Sequence, residues 1–238
     1  VESLLRMAEQ WLGLRLSTEQ EEALEWFGAE LLRWNERVNL TAIRTPEEVR
    51  AKHFLDSLSV LTATGCLNSK RVVDVGTGAG FPGLVLKIAC PQMRLTLVEA
   101  VGKKLDFCKH VAAALGLEGV AFLHARAEEV GRRGEHRESY DVAVARAVAR
   151  LPVLAEYLLP LVRLGGVMVA QKGETAPQEV QAAQYAFAVL GGSLEKVQEV
   201  ELPHITEERY LVIARKVAAT PARYPRRAGI PSKRPLAP

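Results

Sequence analysis

The sequence predicts an α/β fold: an open, mostly parallel sheet covered by helices, with its last strand reversed. Three observations carry this. From residue 71 onward, strand-length apolar runs alternate with helix-length amphipathic ones, the signature of parallel strands joined by helical crossovers. The last two runs, about 193–201 and 208–216, are separated only by a short segment containing Pro203. That segment is too short for a helical crossover, so the two are expected to pair antiparallel as a hairpin at or near the sheet edge. Between the first strand and the first crossover helix lies a glycine-rich turn, Asp74-Val75-Gly76-Thr77-Gly78-Ala79-Gly80-Phe81-Pro82-Gly83. Glycine has no Cβ and tolerates positive φ, so such a turn lets the backbone come close to a ligand.

The elements follow in order. Residues 3–34 read as helices: Leu4, Leu5, Ala8, Trp11 and Leu12 recur at helical spacing, and Leu24, Phe27, Leu31 and Trp34 continue an apolar stripe read as core. Between them, Ser17 or Thr18 stands as an N-cap before an acidic first turn. Thr45-Pro46-Glu47-Glu48 opens a further helix over 46–61, with Val49, Phe54, Leu55, Leu58 and Leu61 on its inner side. Strands are expected at 71–75, 94–98, 120–123, 140–145 and 165–171, and helices at 82–89, 101–115, 127–131, 151–162 and 176–189. Pro82 suits a first helical turn, where its missing N–H costs nothing. The organisation expected is an N-terminal helical unit over 1–62, a ligand-binding core over 63–217 and a basic Pro/Arg tail over 218–238 packing near the substrate face.

Composition narrows the function classes. The chain has 238 residues and is 48% hydrophobic, enough for one medium domain with a sizeable core. No apolar run approaches the roughly 20 residues that span a bilayer, and the acidic, amphipathic N-terminus does not read as a signal peptide, so no membrane association is expected. Cys66, Cys90 and Cys108 lie far apart without CxxC or His/Cys clustering. They read as small core residues in a reducing cytoplasm, with no metal site. No exposed apolar stripe demands a dimer, so a monomer is expected. The net charge of +3 is unevenly spread: residues 1–30 carry seven Glu and two Arg, whereas residues 221–238 carry Arg223, Arg226, Arg227, Lys233 and Arg234 and no acid. A basic tail interleaved with Tyr224 and several prolines suits a polyanionic partner, and would also suit a solubilising tail.

Open α/β sheets bind ligands at the carboxyl ends of their strands, so four strand ends are read together. Gly78 to Gly83 satisfies GxGxxG, but the turn begins at Gly76 behind Asp74, giving DxGxGxG. The longer pattern suits S-adenosylmethionine (AdoMet), which has no pyrophosphate to place at a helix N-terminus. Glu99, about 20 residues past the turn, can accept both hydroxyls of a ribose. After the third strand the Ala127-Glu128 backbone is placed to read the edge of a base; Glu128 and Glu129 could equally be helix N-terminal charge. The fourth strand ends in Arg146-Ala147-Val148, where amino-directed DNA and RNA methyltransferases carry Asn/Asp-Pro-Pro-aromatic, and no Pro-Cys or Thr-Cys nucleophile pair appears anywhere. The strand order itself looks like the Class I AdoMet-dependent methyltransferase fold, Rossmann-like, with seven strands and the last reversed.

Taken together, Asp74–Gly83, Arg126-Ala127-Glu128, Arg146-Ala147 and Lys172-Gly173 resemble the ribosomal RNA small-subunit methyltransferase G family, also called GidB. Upstream, Asn35-Glu36-Arg37-Val38-Asn39-Leu40-Thr41 and His53-Phe54-Leu55-Asp56-Ser57-Leu58 resemble it too, as does the tail from Tyr224 to Leu236. The resemblance implies methylation of guanine N7 in 16S rRNA, in the decoding region of the small ribosomal subunit, with AdoMet as donor. It also implies a cofactor site of Gly76, Gly78, Phe81, Glu99, Ala127, Glu128 and Arg146; Phe81 stands where relatives often have Leu. Asn39, His53, Lys172, Arg223, Arg226, Arg227, Lys233 and Arg234 are the residues expected to face RNA, Lys172 through a phosphate. His53 and Asp56, one helical turn apart, read either as a helix-surface hydrogen bond or as part of the substrate entrance.

The acceptor chemistry fits what the sequence lacks. Guanine N7 carries an in-plane lone pair and no proton, so its attack on a methyl group requires no general base, and alignment and desolvation carry the rate. Arg146 is the best candidate for a residue acting on the reaction. A guanidinium reading guanine in the bidentate way would occupy N7, so Arg146 is expected on O6, on a phosphate or behind the cofactor. Two other readings stand beside this one: a nicotinamide-dependent oxidoreductase using GxGxxG, and a non-catalytic RNA-binding factor on the same fold.

Overall fold

The computed structural model describes residues 3–238; Val1 and Glu2 of the N-terminal unit lie outside the described residues. Helix α1 (Leu4–Leu12) is capped by the Ser3 hydroxyl, which accepts from Arg6 N, and ends at Gly13 in the left-handed conformation. Trp11, expected in the core, is 39% exposed on the outer side of α1. Helix α2 (Thr18–Asn35) opens with a capping box: Ser17 Oγ accepts from Gln20 N, and Gln20 Oε1 accepts from Ser17 N. The Gln20 amide then donates to Ile88 O and Ala89 O, both at 3.0 Å, and so also satisfies carbonyls at the end of a core helix.

The helix expected over 46–61 is not regular. After α3 (Pro46–Val49), capped by Thr45, the chain widens into a π-helical turn over Arg50–Leu55, then returns to α4 (Asp56–Leu58) and α5 (Val60–Thr64). The cause is tertiary. Asp56 N donates to Ala51 O and His53 O instead of Lys52 O, and Lys52 O instead accepts from the Arg146 guanidinium at 3.1 Å. A π turn at such a place commonly marks a functional site.

The sheet holds seven strands: β1 (Arg71–Val75), β2 (Arg94–Glu99), β3 (Val120–His124), β4 (Tyr140–Arg146), β5 (Val162–Lys172), β6 (Gly192–Glu199) and β7 (Tyr210–Lys216), in the order β3-β2-β1-β4-β5-β7-β6. The first five are parallel, and β7 runs antiparallel between β5 and β6. The expected hairpin therefore exists, with its second strand inserted inside the sheet and its first on the edge. Helices α6 (Gly83–Ala89), α7 (Gly102–Ala114), α8 (Ala127–Val130), α9 (Leu151–Leu158) and α10 (Ala176–Val189) connect the strands. Helix α9 stops short of residue 162 because Val162 already starts β5, which shifts register against β4 between Tyr140 and Val142.

Alternation along the strands fills both faces. Val72, Val142 and Val144 join Leu24, Phe27, Phe54, Leu84 and Phe107 in one core, so the N-terminal helices share the core of α6 and α7. Val73, Val75, Ala143 and Ala145 face the other way, toward Leu154, Leu158 and Phe187 of α9 and α10. The strand order reverses between β1 and β4, where the glycine turn emerges.

The tail is folded. Tyr224 and Leu236 are buried in the second core, and Arg137 donates to Thr220 O at 2.6 Å and to Tyr224 O at 2.7 Å. Arg226 turns inward: its guanidinium meets Glu156 of α9, a fully buried carboxylate, at 2.6 Å, and Arg226 N donates to the same group at 2.7 Å. Breaking this pair leaves a buried charge alone. Arg226→Ala is therefore expected to lower unfolding free energy by on the order of 3 kcal/mol in denaturant titration. Adding Glu156→Gln in the same chain should recover part of that loss, because an amide needs no counter-charge.

Candidate functional site

The glycine turn is built from behind by Asp74. Its Oδ2 accepts from Thr77 Oγ1 at 2.6 Å and from Gly83 N at 2.8 Å, pinning both ends of the loop. A Cβ at Gly83 would lie 2.6 Å from Leu97 Cδ2 and 2.7 Å from Asp74 Oδ2, so only glycine lets α6 start this close to the sheet. Gly76 stands at φ +68°, and a Cβ there would meet Val148 Cγ2 at 2.7 Å. Burial pushes the Asp74 carboxyl up to about 6 against the pull of its two donors, and its Oδ1 is buried without a partner.

Glu99, at the end of β2, closes the turn from the other side. Its two oxygens accept from Gly78 N at 2.9 Å and Val101 N at 2.8 Å. Each carboxylate oxygen keeps a second lone pair, and Glu99 lines a cavity of about 300 Å³ with Gly76, Ala127 and Glu128. These features fit AdoMet. The Gly78 N–H, the donor a pyrophosphate would use, is already given to Glu99, and the buried carboxylates of Asp74 and Glu99 favour a ligand with net positive charge over a dinucleotide diphosphate. Gly76, Glu99, Ala127 and Glu128 would hold the nucleoside half, with Gly78 orienting Glu99.

A second cavity, about 380 Å³, opens at the ends of β4 and β5, and Lys52, His53, Asp56, Arg146, Gln171 and Arg209 are on its wall. Arg146 organises it. One nitrogen donates to Lys52 O at 3.1 Å and Asp56 Oδ2 at 2.8 Å, the other to His53 Nδ1 at 3.0 Å. The guanidinium carbon lies 5.0 Å from the Phe81 ring centroid. Phe81 is itself stacked between His53, at 4.3 Å, and Phe27, at 5.2 Å. An aromatic ring at 81, where relatives often have Leu, thus gives both Arg146 and His53 a face to rest on. Ala147, next in sequence, takes φ +54°, a conformation costly for a residue with a Cβ.

The sequence-predicted residues divide accordingly. Four cofactor candidates meet in the first cavity, whereas the Arg146 side chain lines the second and Phe81 is buried behind it. His53 and Asp56 are not bonded to each other; both reach Arg146. Two residues expected to face RNA are committed elsewhere. Lys172, only 11% exposed, pairs with Glu179 at 2.8 Å and donates to Ala149 O at 3.0 Å, which leaves it poorly placed for a phosphate. Arg226 is held by Glu156. Asn39, Arg223, Arg227, Lys233 and Arg234 are exposed.

Residues that sequence reasoning passed over build the frame. Asn35 accepts from Leu40 N and Thr41 N and donates to Thr41 O, fixing the loop above the second cavity. Thr41 Oγ1 reaches His53 Nε2 at 2.9 Å. Gln171 donates to Asp56 O at 2.6 Å. Asn35 lay in a quoted motif, but nothing in the sequence showed that its amide turned back on its own loop.

The tautomer of His53 follows from its neighbours. A guanidinium only donates, so Nδ1 holds the lone pair that accepts from Arg146, and Nε2–H donates to Thr41 Oγ1. Burial, and then the Arg146 charge, hold the His53 pKa down at about 3. The unfolded chain takes up this proton below about pH 6.5, and the folded ring refuses it until about 3. The stability that depends on the neutral ring is therefore complete above that upper value and drains away as pH falls toward the lower one. The His53 ring ¹⁵N shifts are expected to stay at their neutral, Nε2-protonated values between about pH 7 and pH 5; titration in that window would refute the network.

Comparison with known proteins agrees with this geometry. The model of the GidB family, rRNA small subunit methyltransferase G, matches residues 20–211. A ribosomal RNA small subunit methyltransferase G of Roseiflexus castenholzii is 51% identical over 99% of this chain and 100% of its own length. One of Alkaliphilus metalliredigens is 46% identical over 98% of each chain. Among solved structures, a SAM-dependent methyltransferase of Aquifex aeolicus superposes with a TM-score of 0.55 at 18% identity, covering 73% of this chain and 94% of that one. TrmN of Thermus thermophilus superposes with a TM-score of 0.55 at 20% identity, covering 68% and 48%. At such identities these two show the shared fold alone. With seven strands in Class I order, a glycine turn closed by Glu99 and relatives that match over the whole length, the chain belongs to the rRNA small subunit methyltransferase G family of AdoMet-dependent methyltransferases.

Proposed function

We propose that the protein transfers the methyl group of AdoMet to N7 of a guanosine in the decoding-region loop of 16S rRNA. The observation that carries this is that, among the described residues, the titratable groups on the wall of the second cavity are engaged within the protein. His53 uses both ring nitrogens, Asp56 is paired with Arg146, Lys52 with Glu48 and Lys172 with Glu179. Arg146 and Arg209 cannot act as bases. An acceptor that must lose a proton would have to draw on a group already held by the Arg146 network, whereas guanine N7 has none to lose.

Bound AdoMet supplies a methyl group on a positively charged sulfur. The protein's part is alignment and desolvation. Glu99 and the turn from Gly76 fix the nucleoside half, and the Arg146 network sets the wall against which the acceptor base lies. Three of the five Arg146 N–H groups are bonded within the protein, which leaves Nε–H and one further hydrogen for the base O6 or a phosphate. N7 lies on the Hoogsteen edge, so an unstacked loop suffices to present it. The proposal keeps the chain monomeric, metal-free and cytoplasmic, with 16S rRNA or the small subunit as its partner. No helix among the described residues is long and apolar enough to cross a membrane.

Incubation with unmodified small subunits and labelled AdoMet should place label on one guanosine, located by cleavage of the chain at N7-methylguanosine. Label on an exocyclic amine or a ring carbon would sink the proposal. Arg146→Ala should slow transfer by about two orders of magnitude. Unchanged turnover would remove Arg146 from the reaction. The exposed cations Arg223, Arg227, Lys233 and Arg234 are proposed RNA contacts. Replacing them together should weaken RNA binding and flatten its salt dependence; equal salt slopes in variant and wild type would count against the tail.

A further inference from the structure

We infer that the C-terminal tail is a wall of the cofactor site, and that the Ser232 hydroxyl contacts the purine end of AdoMet. This rests on the reading that the first cavity takes the nucleoside half. Ser232 and Tyr157 line that cavity alongside Ala127 and Glu128. Both tail and cavity are built to meet. Gly229 N donates to Glu128 Oε1 at 2.8 Å, so the tail grips the side chain of the residue whose backbone is placed for the base. Ser232 Oγ lies 2.8 Å from the Tyr157 hydroxyl. Arg226 locks the same stretch onto Glu156, the residue before Tyr157 in α9, so one helix carries both the anchor and the contact.

The chemistry suits an aminopurine. Two hydroxyls in one hydrogen bond spend a single O–H between them, and their spare lone pairs and the Tyr157 O–H, which Glu128 also attracts, are left to meet a ligand. A purine edge that sets a donor beside an acceptor can be met by that pair whichever way the hydroxyls turn. The tail then has two faces: Ser232 on the cavity, and the cations Arg227, Lys233 and Arg234 away from its lining. Sequence reading assigned the whole tail to RNA, because charge is visible in a sequence and a serine's place on a cavity wall is not.

Calorimetry with S-adenosylhomocysteine on the full chain tests the assignment. Ser232→Ala should weaken binding about three- to tenfold, the loss expected for one hydrogen bond, while the free protein, losing only the bond to Tyr157, still unfolds cooperatively. In Ser232→Cys, the ligand should slow alkylation of the new thiol several-fold and leave the exposed Cys66, an internal control, unchanged. Glu99→Ala reports on the underlying reading and should weaken binding by more than either. If Glu99→Ala weakens binding but Ser232→Ala binds as wild type, or the thiol is alkylated at one rate with and without ligand, the tail is overturned as a wall. If Glu99→Ala also binds as wild type, the cavity is not the nucleoside site, and both readings fall.

Discussion

The Arg146 guanidinium is the constraint on which the rest of the site depends. It leaves the end of β4 and is met by a backbone carbonyl, an imidazole and a carboxylate from the π turn and its exit, and by an aromatic face from the glycine turn. A charge so nearly removed from water is tolerable only when its donors are largely answered, and the protein bends to answer them. The helix after Pro46 gives up a regular hydrogen bond to free Lys52 O, and His53 takes the one tautomer that can accept. Without that charge, the π turn, the neutral histidine and the ring at 81 would have no common reason.

The nucleoside side is governed by carboxylates used as fasteners. Asp74 ties the start of the glycine turn to the start of α6, and Glu99 ties the middle of the turn to the loop after β2. Both are buried, and at Asp74 the cost of burial outweighs what its donors return. A cationic ligand offsets more of it. The turn is thus shaped by glycine sterics and charged by its surroundings, and the second property separates it from a dinucleotide loop that shares the same glycine spacing.

What the sequence made legible followed from local rules. Buried parallel strands must be apolar runs, a positive φ calls for glycine at 76, and an acid about 20 residues past the turn falls at the end of the second strand, where Glu99 stands against the turn. What was illegible depended on partners far away in the chain. Lys172 and Arg226 are cations like Arg227 in the sequence, but Glu179 and Glu156 face them in the fold and remove them from the surface. The stripe containing Trp11 has helical spacing, and spacing alone does not say where the covering layer ends. The π turn could not be read from Arg50–Leu55, since its cause sits on β4.

Gln20 carries a consequence of another kind. Its one side chain closes the start of α2 and, through the same amide, the end of α6 across the nominal boundary at residue 62. Phe27 of α2 stacks on Phe81 of the glycine turn. The N-terminal helices are therefore no appendage on a finished enzyme. Removing them would open α6 carbonyls to solvent and bare one side of the ring beneath Arg146. Heat or denaturant should meet a single cooperative body in which the second cavity lasts as long as the first helices stay in place.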